Sequence, residues 1–281
     1  MPLEAPADKP VEKRAVTEYF DAESSYWDGL YNGNDVFAVI HQQRRLMALK
    51  YFDELALPQR DRILEVGCGA GLLTVDLARR GYKVEALDRV KSMVDLTKRN
   101  ARNFGVHERI NAHIADVCRL PFQNGTFRCL IALGVVPWVT AINDALKEIS
   151  RVVAPGGYVI INADNRYRLN HILDLARMPA LAGLKGKLKK ALEKYGLRKP
   201  SKEPDVYRHS YTEFRELLAS VGLMVIKHHT IGFGPFSFFR YEPFSDSFAV
   251  SLHNRLQHLA DQGVFLLRST GTQILVTAVK S

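Results

Sequence analysis

The chain has 281 residues, 47% of them hydrophobic, and a formal charge of +9, enough for one large buried core with additions and for attraction to an anionic partner such as nucleic acid, a membrane surface or a charged substrate. No stretch approaches the roughly 20 apolar residues of a bilayer span, and the acids and prolines at the N-terminus do not read as a secretory signal, so the expectation is a cytoplasmic protein. The three cysteines, Cys68, Cys118 and Cys129, lack metal-ligand spacing, so neither zinc nor another metal is expected, and no disulfide.

Residues 1–12 mix proline, alanine and charge without a period and read as a frayed tail. Next come Tyr19, Phe20, Tyr26, Trp27 and Tyr31, interleaved with acids and serines, and then apolar residues at helical spacing from Phe37 to Leu57. Residues 62–71, Arg-Ile-Leu-Glu-Val-Gly-Cys-Gly-Ala-Gly, run from a short apolar strand into alternating glycines, and a helical pattern follows at once. Glycine is needed where a strand turns sharply into a helix and a ligand approaches the backbone, and the helix N-terminus then offers unpaired N–H groups. The next strand, Tyr82 to Leu87, ends at Asp88, whose carboxylate can accept both hydroxyls of a ribose. Met93 opens a helix to about Asn103, either as an apolar cover on a bound ring or as packing against the sheet. Asp116 ends the third strand, as an acceptor for a base amino group or as a turn cap.

With Phe127 to Leu133 as the fourth strand, and Leu146 to Gly157 leading into the fifth, four motifs stand in order. They resemble those of the class I S-adenosylmethionine (SAM) dependent methyltransferases, whose first motif is acid-x-Gly-x-Gly-x-Gly; the likeness covers roughly residues 60 to 165 and returns more weakly at Gln273 to Lys280. A dinucleotide fingerprint would space the third glycine differently. The resemblance implies an α/β, Rossmann-like, doubly wound and mostly parallel seven-stranded sheet with SAM as cofactor. The implied cofactor-binding residues are Glu65, Gly67, Cys68, Gly69, Gly71, Asp88, Arg89, Met93, Asp116, Val117, Leu133 and Tyr26. By the same likeness Tyr19, Tyr26 and Trp27 wall the site, and Arg44 or Arg45 meets the methionine carboxylate.

The expected organisation is a tail and N-terminal helical cap over 1–57, the SAM-binding core over 58–165, a helical lid insertion after the fifth strand over 166–206, and the rest of the sheet over 207–281 with an aromatic-rich stretch on the substrate side. Between Leu184 and Lys202 stand eight lysines or arginines against one acid, Glu193, the composition of a basic amphipathic helix that lies on an anionic membrane or forms a solvated lid face. A helix is predicted over Tyr207 to Val221, a strand over Leu223 to Ile231 and a final helix over Ser245 to Gln262.

Methyl transfer from a sulfonium asks the protein mainly for alignment, exclusion of water and, for a hydroxyl acceptor, removal of a proton. Candidate bases are His209, His171 and Tyr207, with His41 behind them. Aromatics at both ends of the chain favour a lipophilic or aromatic small-molecule acceptor, and the absence of Asn-Pro-Pro-aromatic after the fourth strand speaks against nucleic acid. O-methylation is the first expectation, with C- and N-methylation left open. The alternatives are an RNA methyltransferase or RNA-binding protein, and a non-catalytic SAM-binding partner subunit.

Overall fold

In the computed structural model, residues 10–174, 206–237, 241 and 243–281 are described. Three helices come first: α1 (Pro10–Ala22), α2 (Ser24–Gly29) and α3 (Val36–Glu54). The Asp35 side chain starts α3 by accepting from the N–H groups of Phe37 and Ala38. Five strands follow, β1 (Arg62–Val66), β2 (Lys83–Asp88), β3 (Ile110–Ile114), β4 (Phe127–Ala132) and β5 (Val153–Asn165), alternating with α4 (Leu72–Arg79), α5 (Lys91–Asn103) and α6 (Ile142–Val152). After the short α7 (Leu169–Ile172) and β6 (Arg208–His209) come α8 (Tyr211–Ala219), β7 (Leu223–Ile231), α9 (Asp246–Asp261) and β8 (Gln273–Lys280).

The sheet order is β3-β2-β1-β4-β5-β8-β7, with β6 as a two-residue addition to β5. The seven-stranded path matches the sequence expectation. β1 to β5 are parallel, whereas β8 runs antiparallel between β5 and β7. Central strands such as β1 and β4 are buried on both faces, which explains why they read as continuous apolar runs. One layer of the core gathers Leu64, Leu130, Leu146, Ile149 and Phe214; the other gathers Phe52, Ile63, Leu77, Ile131 and Leu275. From β1 the chain winds outward through β2 and β3, then returns to the other side through β4. That reversal opens a crevice at the carboxyl ends of β1 and β4, where ligands settle in doubly wound folds.

One helix begins later than its apolar spacing predicts. The helix expected from Tyr207 starts at Tyr211, because Ser210 and Glu213 close a capping box around its first turn. Arg208 and His209 instead pair with Asp164 and Asn165 of β5. Most of the basic insertion expected over 166–206, with all of its lysines, lies outside the described residues.

Candidate active site

A cavity of about 530 Å³ opens at the crevice, a size suited to small-molecule ligands. Its floor is the turn after β1. Gly69 has a left-handed φ of +53° and open space where a Cβ would stand, so the backbone itself faces the cavity. Asp88 holds this turn: one carboxylate oxygen accepts from the Gly69 N–H at 3.0 Å, the other from the Val90 N–H at 2.9 Å. Burial raises the Asp88 pKa against the pull of these N–H groups. The carboxylate is thus fixed in direction, with lone pairs left for a diol.

Glu65 lies beneath the turn, 3% exposed, and accepts from the Thr74 hydroxyl at 2.5 Å. Burial, with lesser help from Asp88 and Asp76, pushes its pKa up to about 8 despite the Thr74 bond. Because the folded value lies above the ordinary 4.5, the folded state holds this proton more tightly, and stability is lost as pH rises from about 4.5 to about 8. Glu65→Gln removes that loss. The melting temperature of the variant relative to wild type is expected to climb across this window and level off above it; a difference independent of pH would contradict the assignment.

Asp116 accepts from the Cys118 N–H at 3.0 Å and from Arg89 at 2.6 Å, with Lys13 of α1 at 3.6 Å. Burial alone would raise its pKa, but the Cys118 N–H and the two cations prevail and lower it. It is therefore a turn cap that also lines the cavity. Cys68 is buried against the Thr97 hydroxyl, and burial holds its thiol well above the usual range, so it is no nucleophile.

The roof comes from the cap helices and the turn after β4. Tyr19 stacks on Trp138 at 5.8 Å between centroids, and Phe20 meets the same indole edge-on at 5.0 Å. Arg44 of α3 reaches under this roof. It is 7% exposed, and among the described residues it makes no hydrogen bond or ion pair. A Cβ on Gly134, which has a left-handed φ of +73°, would come within 3.2 Å of a terminal nitrogen of this guanidinium and press on it at the end of β4. A buried, unpaired guanidinium at a cavity wall asks for an anionic ligand. Arg45 differs, since Asp76 stands 3.6 Å from it.

Of the expected cofactor residues, Glu65, Gly67, Cys68, Gly69, Gly71, Asp88, Arg89, Met93, Asp116, Val117 and Leu133 all line the cavity. Tyr26 does not. It is 49% exposed on the outer side of α2, while its neighbour Trp27 turns inward. The expected bases separate in the same way. His171 lines the cavity, as do Val206 and Arg208, but Tyr207 and His209 stand outside it. An extended segment sends alternate side chains to opposite faces, and the ring of His209 accordingly lies 6.1 Å from Phe214 of α8, away from the cavity. His41 lines the cavity too, with Nδ1 2.8 Å from the Phe37 carbonyl. Burial, helped by Arg44, lowers its pKa to about 3, which makes it neutral and a weak base.

Sequence reasoning missed the far wall. Arg168 and Asp164 form an ion pair of 2.6 Å there, beside Asn170 and Gln273. The Asn170 amide nitrogen donates to the carbonyls of Pro235 at 2.9 Å and Gly234 at 3.3 Å, which fixes the amide's orientation. Among the described residues no donor reaches its buried Oδ1 or the buried Oε1 of Gln273. The only sequence signal for this wall was the polar run at the end of β5, Asp164-Asn165-Arg166.

Residues 64–161 match the family model described as a methyltransferase domain. A sterol 4-C-methyltransferase of Caenorhabditis elegans is 26% identical over 59% of this chain, which spans 55% of that protein's length. A ubiquinone biosynthesis O-methyltransferase of Marinobacter nauticus is 24% identical over 79% of this chain and 91% of its own. Among solved structures, magnesium protoporphyrin IX methyltransferase from Synechocystis PCC 6803 with bound S-adenosylhomocysteine superposes with a TM-score of 0.65 at 16% identity, over 96% of this chain and 100% of that one, a likeness of fold.

Proposed function

We propose that this chain, which belongs to the class I SAM-dependent methyltransferases, methylates a hydroxyl group on a lipophilic or aromatic small molecule. SAM is its cofactor, and when bound it supplies an electrophilic methyl group on a sulfonium. The chain's residues fit it: Asp88 offers fixed acceptors to the ribose diol, Gly69 leaves the backbone open, and the unpaired Arg44 suits the carboxylate of the methionine end. The aromatic roof lines this side of the cavity with apolar surface, and exclusion of water by it would strengthen each of these contacts.

The observation that carries the hydroxyl reading is the pair of buried carboxamide oxygens on Asn170 and Gln273. A carbonyl oxygen without a donor in a buried wall is costly, and an acceptor that brings an O–H group relieves it. A reacting carbon atom brings no such donor of its own. His171, in the same wall, is the residue proposed to take the hydroxyl proton as the oxygen attacks the methyl carbon in line with the departing sulfur. The similarity to a ubiquinone biosynthesis O-methyltransferase over most of both chains supports this reading, while the sterol 4-C-methyltransferase keeps carbon methylation as its rival.

The test is transfer of label from methyl-labelled SAM to three acceptors: a prenylated catechol, its dimethyl ether and a sterol. Label is expected in a new methoxy group on the catechol and nowhere on the dimethyl ether. Label on a ring or sterol carbon would overturn the hydroxyl reading while leaving the methyltransferase intact.

A further inference from the structure

We infer that the turn Val264-Phe265-Leu266 is a docking tip that inserts into the surface of an anionic lipid bilayer. These three consecutive side chains are 42%, 74% and 68% exposed. Their exposure does not come from a loose backbone. The Val264 N–H donates to the Leu259 carbonyl at 3.1 Å, the Arg268 N–H to the Val264 carbonyl at 2.9 Å, and the Thr270 hydroxyl to the Leu266 carbonyl at 2.8 Å. A hydrogen-bonded turn thus holds apolar side chains outward, against the tendency of such residues to bury.

The tip stands at the cavity end of the sheet. β8 runs antiparallel to β5 with Gln273 opposite Asp164, so the turn that precedes β8 lies where β5 ends and the cavity begins. It is also tied to the far wall. The Leu169 N–H donates to the Thr270 carbonyl at 2.7 Å, and the Asn165 amide to the carbonyls of Ser269 at 2.9 Å and Gly271 at 2.8 Å. Leu169 opens the helix that carries Asn170 and His171. A lipophilic acceptor dissolved in a bilayer would therefore meet the cavity wall beside the tip.

Charge selects the occupant. The Arg268 guanidinium lies 5.3 Å from the Phe265 ring centroid, which places a cation at the level where the aromatic would enter. The whole chain carries +9, so an anionic surface attracts it before the apolar contacts form. No helix among the described residues is long and apolar enough to cross a membrane, so the contact is one of lying on the surface.

The test is flotation of the full chain with phosphatidylglycerol–phosphatidylcholine vesicles, without acceptor, so that its outcome does not depend on the proposed acceptor chemistry. The wild type is expected to float with these vesicles and far less with phosphatidylcholine alone. Phe265→Glu with Leu266→Glu is expected to lower the bound fraction about tenfold while SAM binding, measured by calorimetry, stays unchanged. Wild type that stays at the bottom of the gradient, or a double variant that floats as well as wild type, overturns the inference. So does a loss seen only when Lys185, Lys187, Lys189 and Lys190 become Gln. A wild-type dimer in sedimentation that the double variant dissolves would assign the tip to a second copy instead and overturn it as well.

Discussion

Arg44→Met is expected to raise the melting temperature of the ligand-free protein and to weaken SAM binding by about 100-fold, within the roughly 1.5–3 kcal/mol that a hydrogen bond to a charged group contributes. The two effects share one cause. Arg44 is 7% exposed with no anionic partner among the described residues, so the folded protein carries the cost of removing a cation from water. Methionine keeps the length and most of the packing of the side chain without the charge. The carboxylate proposed to pair with Arg44 arrives only with the cofactor, and its loss therefore shows in binding. Thermal unfolding of the free protein and calorimetric titration with SAM read the two effects separately. A lower melting temperature together with unchanged affinity would mean that Arg44 is a structural strut, and the carboxylate assignment would fall.

His171→Ala is expected to lower turnover by about 100-fold or more, the usual contribution of a positioned base, with SAM affinity unchanged. The choice follows from elimination within the cavity. His209 points at Phe214, on the far side of its strand. His41 is in the cavity, but its pKa of about 3 gives it little drive to take a hydroxyl proton. If proton removal is what the variant loses, its rate recovers as pH rises toward the pKa of the acceptor hydroxyl, and the pH profile of kcat becomes steeper than that of wild type. Unchanged turnover, or a fall mirrored in SAM affinity, would remove His171 from the role of base.

The contrast between Asp88 and His209 explains how far the site was legible beforehand. The placing of Asp88 was readable because it is local: a strand tip, a glycine turn and a carboxylate between them are neighbours within one βαβ unit, and their geometry follows from glycine dihedrals and strand ends. His209 was misleading because its segment read as the first turn of a helix. A capping box at Ser210 started the helix later and turned residues 208 and 209 into a strand, whose alternation then sent Arg208 inward and His209 outward. Tyr26 and Trp27 show the same limit on α2, where adjacent aromatics of equal promise face opposite ways.

The succession of the main strands and helices, the glycine turn, the placing of Asp88 and Asp116 at strand ends, and the cofactor that those features imply follow from the amino-acid sequence. These depend on backbone preferences and on contacts between residues close along the chain. It is the tertiary structure that leaves Arg44 without a partner among the described residues beside Gly134, brings Asn170 and Gln273 into one wall although 103 positions separate them, and ties the segment before β8 to that wall through the Leu169 N–H and the Thr270 carbonyl. Each of these depends on the antiparallel return of β8 beside β5 or on the seating of the cap helices over the crevice. Such long-range placements are set by burial of the whole core rather than by any local spacing.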